Sequence, residues 1–495
     1  MRFQELITLV GKDLPLTAEA QRDMDLSDLV YDTRKPMDGS SMFVCLRGAK
    51  FDGHAFASRA YEQGVRMFAA EEAPDLPDGG RDALVVLCPS TRKFLAQASA
   101  ALFGYPCREL TVVGITGTKG KTSTSFMIRS ILESAGIPCG VIGSTGIYYG
   151  DVFRETVNTT PESYLLHRLF REMADAGCRA VVMEAASQGF KMDRTYGIQF
   201  DAGVFTNLSP DHIGEGEHAD FDEYLQCKRM LFDQSKVVFV NADDPHFDAI
   251  TAGKTNWEPF GLSPDCPVRA EDPVFRMDGH RLRTLFTAVV SGREFPAELG
   301  VPGHFSLYNA CAAMAVADRL GIGTEAIQRG LADCTVRGRM ESIPSDRPYT
   351  VLIDAAHEEF SARSLLETVR LYSPKRIIAL FGCGGNRSRL RRPGMGKAVG
   401  ELADYAIVTA DNSRMEKVED IIADILTGLK PTGCPFEIEP DRKTAIEKAL
   451  RMADAGDAVL LMGKGHENYV DCGGRKTFFS ERQIVLDYWA REARR

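Results

Sequence analysis

Gly117, Thr118, Lys119, Gly120, Lys121 and Thr122 combine in one stretch what binding a polyphosphate requires. Glycines let a backbone close on an anion, a lysine brings a point charge to the outer phosphates, and a threonine offers its hydroxyl to Mg²⁺. The apolar run Thr111-Val112-Val113-Gly114-Ile115 before them reads as a buried parallel strand, and residues 122–135, closed by Gly136, read as a helix. The loop therefore sits between a strand and a helix N-terminus, where backbone N–H groups receive phosphate oxygens. A Gly-rich turn with an exposed lysine is the competing reading, and the flanking elements weigh against it. By itself the loop specifies a nucleotide and no reaction.

Ligands of parallel sheets bind outside the carboxyl ends of strands, so polar residues just after apolar runs are candidates for chemistry. Glu184 follows Ala180-Val181-Val182-Met183, where a carboxylate could hold Mg²⁺ opposite Thr122, or serve as a turn acid. Asn207, Asp211 and His212 follow Ala202-Gly203-Val204-Phe205, and Asp243 follows Val240, in a segment that reads more as a turn than as a site. Lys228 is different. Phe221, Tyr224, Leu225, Leu231 and Phe232 mark the apolar stripe of a helix, and Lys228 fills the stripe's vacant position, so it should point inward. A buried lysine must be paired, deprotonated or chemically modified; snorkelling along the helix edge is the alternative.

These residues need a scaffold of alternating strands and helices. At 495 residues the chain is too long for one core, and about three domains is the expectation. Residues 1–106 read as a small α/β unit, with strand candidates at 42–46 and 83–87 and a helical pattern over 55–64. Residues 107–340 alternate strand, Gly-rich turn and helix as a doubly wound sheet would, apart from a less regular stretch at 267–300. The alternation restarts over 341–495 as a Rossmann-like domain. The fold class is thus α/β in three domains: a small N-terminal domain, a central P-loop-type parallel-sheet ATPase domain and a C-terminal Rossmann-like domain.

Composition narrows the function. A net charge of -10 argues against nucleic acid or anionic lipid as partner. The 12 cysteines include no Cys-x-x-Cys pair and read as reduced, mostly core thiols. No run approaches the ~18 apolar residues of a membrane span, and Lys12-Asp13 interrupt the N-terminus before a signal-like segment forms, so no membrane insertion and a cytoplasmic protein are expected. A monomer is the expected state.

Taken together the motifs resemble the Mur ligase family, and within it the UDP-N-acetylmuramoyl-tripeptide synthetase branch, over nearly the whole chain. The ATP loop is similar to residues 114–122, the Mg²⁺ glutamate to Glu184, and the Asn…Asp-His segment to Asn207, Asp211 and His212; Lys228 falls where the family carries a carbamylated lysine. The resemblance extends to further ATP contacts at Asn309, Arg339, Asp354 and His357. It implies uridine-nucleotide and muramoyl-peptide contacts at Thr33, Lys50, Asn158, Thr159, Thr160 and Arg194. The branch's acceptor signature is matched by Asp411-Asn412-Ser413-Arg414 and by Gly463 to Glu467, with Arg392 nearby.

The resemblance implies an ATP-dependent ligase of peptidoglycan precursor synthesis. Its substrates would be ATP, a UDP-N-acetylmuramoyl dipeptide and an amino acid. Lys121, Glu184, His212 and Lys228 would be catalytic. Thr122, Glu184, His212 and a CO₂-derived carbamate on Lys228 would hold two Mg²⁺ ions. An Arg at position 414 implies meso-diaminopimelate as the amino acid added, because a guanidinium can grip the distal carboxylate that lysine lacks. L-Lysine, a divergent paralogue's substrate, or a P-loop ATPase or kinase activity are the alternatives. The chain departs from the family pattern at Lys119, Ala186, Ser306, Ala355, Asn386 and Ser413.

Overall fold

A computed structural model describes residues 1–18, 23–48, 52–214, 216–278 and 281–494. The chain forms two compact units, Met1–Cys266 with Ala315–Ile322, and Pro267–Met314 with Gly323–Arg495. Both are α/β, with mainly parallel sheets.

The first unit holds two sheets. A five-stranded sheet runs in the order Thr17–Ala18, Leu84–Leu87, Met67–Ala70, Ser41–Val44, Asp28–Val30, parallel except for the first strand. An eight-stranded sheet is built around Thr111–Thr116, which lies between Ala180–Glu184 and Ala202–Phe205 and is parallel to both. Those neighbours come from opposite directions of winding, so the end of Thr111–Thr116 is a switch point, the place where such sheets open a crevice. The strands Val112–Ile115, Val181–Met183 and Val238–Val240 are apolar without alternation because helices cover both faces. One close contact shows the packing demanded: a Cβ on Gly114 would meet the Phe200 ring at 2.9 Å. Phe200 is fully buried, and truncating such a ring costs about 3–5 kcal/mol.

The second unit holds a six-stranded sheet ordered Glu341–Ser342, Thr350–Asp354, Ala458–Met462, Ile377–Phe381, Tyr405–Val408, Phe436–Ile438. Only the first strand is antiparallel. The stretch expected to be less regular, 267–300, is an antiparallel meander of Val268–Asp278, Arg281–Val290 and Arg293–Leu299. Arg281–Val290 alternates buried Leu282, Thr284, Phe286 and Ala288 with exposed or half-buried residues, the period-2 pattern of a sheet wet on one face. Charged residues on the wet face obscured it in the sequence. Leu282 joins the core of the six-stranded sheet, and the Tyr372 hydroxyl bonds both the Thr284 hydroxyl and, at 2.7 Å, the Gly303 amide.

Among the described residues no helix is long and apolar enough to cross a membrane. All 12 cysteines are free thiols, and only Cys472 is exposed, which fits the reading of core thiols.

Candidate active site

The phosphate loop is clamped from behind by the end of the next strand. Asn207 Oδ1 accepts the Lys119 amide at 2.9 Å, its Nδ2 donates to the Lys119 carbonyl at 3.0 Å, and its own carbonyl accepts the Thr118 amide at 2.9 Å. Thr206 Oγ1 adds a 2.6 Å bond to the Lys119 carbonyl. Gly117 has φ +138°, and a Cβ there would lie 3.1 Å from the Asn207 amide nitrogen, so both conformation and space require glycine. Gly120, at φ +85°, then caps the helix Lys121–Ser134. Lys121 Nζ folds back on the carbonyls of Gly117 and Thr118 at 2.8 and 3.1 Å.

Glu184 ends its strand 1% exposed. Its Oε1 accepts Thr122 Oγ1 at 2.9 Å and the Ser144 amide at 3.1 Å, and the Thr122 and Ser144 hydroxyls lie 3.1 Å apart. One buried carboxylate with two hydroxyls is a set of hard oxygen donors beside a phosphate loop, which fits Mg²⁺. Gly143 makes room for it: a Cβ there would meet Glu184 Cδ at 2.8 Å.

Lys228 points inward, as its place in the helical stripe predicts, and is 1% exposed on the helix Phe221–Asp233. Its Nζ donates to the Gly117 carbonyl at 2.7 Å and stands 4.5 Å from the Tyr224 ring centroid. Among the described residues no carboxylate lies within ion-pair distance of it. Burial first, and the Lys121 charge second, hold its amine well below the ordinary lysine range. The snorkelling alternative is excluded; an amine that is easily neutral remains.

The Asp-His segment behaves otherwise. His212 is exposed, at φ +55°, with Nδ1 2.9 Å from Glu217 Oε1, and no hydrogen bond or ion pair joins it to Glu184 or Lys228. Asp211 Oδ2 pairs with Lys119 Nζ at 3.6 Å, an exposed ion pair of little energetic weight. Asp243 accepts the Leu262 amide at 2.6 Å and bonds the Ser263 hydroxyl, as a turn residue does.

Elsewhere in the first unit, Thr160 bridges to the glutamate strand: its Oγ1 donates to the Glu184 carbonyl and accepts the Ala186 amide, both at 2.9 Å, while Arg194 holds the Thr160 carbonyl at 2.9 Å. Asn158 is exposed, Thr159 half-buried and Thr33 buried. Lys50 lies outside the described residues.

In the second unit a cavity of about 320 Å³ opens at the carboxyl ends of the strands. Among its lining residues are His357, Asp411, Asn412, Arg414, Gly463 and Glu467. Asn412 Nδ2 donates to Glu467 Oε2 at 2.7 Å, and Lys464 Nζ lies 3.4 Å from Asp411. Arg414, at φ +50°, donates Nη1 to the Gly385 carbonyl at 2.9 Å and has no carboxylate partner among the described residues. Arg392 also borders the cavity, but it is buried, with one Nη on Asp424 at 2.9 Å and the other on Glu416 at 2.8 Å. Both of its terminal nitrogens are thus held by carboxylates. Ser413 is buried and is not among the lining residues. Of the other residues expected to meet ATP, Asn309 is buried, Arg339 is half-buried and His357 is exposed with Nδ1 2.7 Å from the Ala355 carbonyl. Asp354 accepts the amides of Met340 and Ala356 at 2.8 Å each; burial raises its carboxyl, against the nearby Arg339 charge.

The Mur ligase middle domain matches residues 115–317, the Mur ligase glutamate ligase domain residues 338–465, and the Mur ligase family catalytic domain residues 31–102. A UDP-N-acetylmuramoyl-L-alanyl-D-glutamate--2,6-diaminopimelate ligase of Clostridium perfringens is 38% identical over 95% of this chain and 96% of its own. The chain belongs to the Mur ligase family. A ligase of the same description from Chlorobaculum tepidum is 37% identical over 93% of this chain and 92% of its own. A solved structure of a ligase so described covers 100% of this chain and 99% of its own at TM-score 0.73 and 26% identity.

Several residues of this Mur ligase site escaped sequence reasoning. Ser144 and Thr206 are small hydroxyl residues directly after strand ends, with no spacing to mark them. The ring of Tyr224 belongs to the core, as the helical stripe predicts, yet its hydroxyl lies 3.1 Å from Thr118 Oγ1. Arg387 and Arg391 line the cavity without an ion pair among the described residues; the run of arginines from 387 to 392 was the signal that could have marked them.

Proposed function

We propose that this Mur ligase joins meso-diaminopimelate to UDP-N-acetylmuramoyl-L-alanyl-D-glutamate with consumption of ATP. The γ-phosphoryl passes to the D-glutamyl side-chain carboxylate, leaving ADP and an acyl phosphate. An amine of the amino acid then attacks the acyl carbon and expels phosphate, giving the amide. The observation that carries the acceptor is the cavity of the second unit, whose lining combines Arg387, Arg391 and Arg414, none with a carboxylate partner among the described residues, with the carboxylates Asp411 and Glu467. Such a wall suits a substrate with two carboxylates and two ammonium groups, and the names of the relatives agree with it.

Lys121 and the loop amides bind and orient the polyphosphate, and Thr206 and Asn207 keep the loop in shape. Thr122 and Glu184 would hold one Mg²⁺, and Lys228 as a carbamate would hold a second. The amine would add to CO₂ and release a proton, turning a buried cation into a carboxylate. Mg²⁺ when bound neutralises charge on the phosphate oxygens. His212 would have to leave Glu217 to join it. The uridine-nucleotide role of Thr33 and Lys50, and the peptide role of Asn158, Thr159, Thr160 and Arg194, follow from the family.

The deciding experiment measures ADP release with the muramoyl dipeptide nucleotide and a panel of amino acids. Release that needs both the nucleotide and meso-diaminopimelate is expected. Equal use of L-lysine would overturn the acceptor, and release indifferent to both substrates would overturn the ligase reading in favour of a simple ATPase.

A further inference from the structure

Beside the residues used above, the first unit contains three potential metal ligands of mixed type. His218, Glu223 and Cys227 each present one ligand atom, all within 4.8 Å of one another. Glu223 and Cys227 stand one turn apart on Phe221–Asp233 and so share a face, while His218 comes from the segment just before the helix cap Asp220. His218 is fully buried and Cys227 is 9% exposed.

The imidazole is held in place. Nε2 lies 2.9 Å from Ser187 Oγ, and the ring meets Tyr224 edge to face at 5.3 Å. Nδ1 is buried and has no hydrogen-bond partner. The facing Glu223 Oε2 is 3.8 Å away, too far for a hydrogen bond. Two ligand atoms around a tetrahedral zinc ion lie about 3.4 Å apart, so a small side-chain rotation would let one ion bridge this gap. The carboxylate is already oriented, with the Ala219 amide on Oε2 at 2.7 Å and Lys191 Nζ on Oε1 at 2.8 Å. A Ser187-bound ring whose other nitrogen lacks a partner is the arrangement in which an outer hydrogen bond directs an imidazole lone pair at a metal.

We propose that His218 Nδ1, Glu223 Oε2 and Cys227 Sγ form a site for a borderline divalent cation such as Zn²⁺, with water as fourth ligand. Binding displaces the thiol proton to solvent, and thiolate plus carboxylate balance the two positive charges. Thiolate selects against Mg²⁺, so this site is chemically separate from the oxygen donors at Thr122 and Glu184. Its occupancy ties the segment around His218 to the helix that carries Lys228, one residue beyond Cys227.

The test uses the full chain stripped by a chelator, kept in excess Mg²⁺ and titrated with Co²⁺. One equivalent should give a thiolate-to-cobalt charge-transfer band with the visible bands of four-coordinate cobalt, and Zn²⁺ should displace it. Cys227→Ala should abolish the charge-transfer band, and His218→Ala should weaken Co²⁺ binding by about tenfold or more. The absence of stoichiometric uptake would overturn the proposal. So would a band that survives in Cys227→Ala, which would assign it to another thiol such as exposed Cys472. Should the histidine variant fail to fold, Cys227→Ala, which deletes a single sulfur atom, still decides.

Discussion

Lys228 shows how one side chain changes meaning with its surroundings. On the surface it would be a solvated cation; buried against Tyr224 and within reach of the Lys121 charge, its amine is driven toward the neutral form that can add to CO₂. Lys228→Ala should lower kcat by on the order of 10²–10³, the range for loss of a preorganised electrostatic group. Short carboxylic acids should restore part of it if the lysine acts as a metal-binding carboxylate; full activity of the variant would remove Lys228 from the mechanism. At the acceptor cavity, Arg414→Ala should cost about 1.5–3 kcal/mol of transition-state binding for diaminopimelate, the usual worth of a hydrogen bond to a charged group. That is roughly ten- to a hundredfold in kcat/KM, with little change for L-lysine. Arg392→Ala should instead lower the stability of the cavity wall, because it empties the space of a buried guanidinium and takes the ion-pair partner from Glu416, while Asp424 keeps Arg389. A thermal-melt comparison of the two variants separates these outcomes.

Strand ends, and the glycines that let neighbours approach them, carry the element scale. Gly143→Ala would drive a methyl group into Glu184, an overpacking of about 1–3 kcal/mol. The predicted readout is a raised KM for ATP and a raised Mg²⁺ requirement with the fold retained, measured by initial rates and circular dichroism. The helix Ser163–Asp175 has a pH signature of its own. His167 is 2% exposed on it, and burial lowers its pKa from 6.5 to about 4. The unfolded chain therefore takes up a proton that the folded chain refuses. Stability is complete above about pH 6.5 and falls as pH drops toward about 4, by on the order of 3 kcal/mol. Urea midpoints across this range should show that slope in the parent protein and a weaker one in His167→Leu. An unchanged slope would mean that other groups cause the acid sensitivity.

At the scale of the whole molecule, the phosphate loop, Glu184 and Lys228 belong to the first compact unit and the cavity proposed for the acceptor belongs to the second. The proposed order of steps makes a kinetic prediction. With ATP and the nucleotide dipeptide but no amino acid, ADP should form only as fast as water destroys the acyl phosphate, a small fraction of the full rate. A rate independent of the amino acid would contradict the sequence of steps.

The amino-acid sequence by itself determined what depends on neighbours along the chain. A phosphate loop is one continuous backbone between a strand and a helix, so its glycines, lysine and threonine are readable in order. The inward turn of Lys228 follows from helical periodicity alone, because Tyr224, Leu225, Leu231 and Phe232 define the buried stripe around it. Alternating apolar runs likewise disclosed the parallel sheets. Tertiary structure decided what depends on partners far away in sequence. Whether an arginine is free or spent depends on carboxylates such as Glu416 and Asp424, which no local spacing links to Arg392. The meander at 268–299 is hidden in the sequence because its apolar residues alternate with charged ones and find their core only against the later sheet. His218 read as nothing at all until folding brought Ser187 to one side of its ring and Glu223 and Cys227 to the other. Electrostatics and hydrogen bonding act through space, and it is the closing of the sheets that sets those distances.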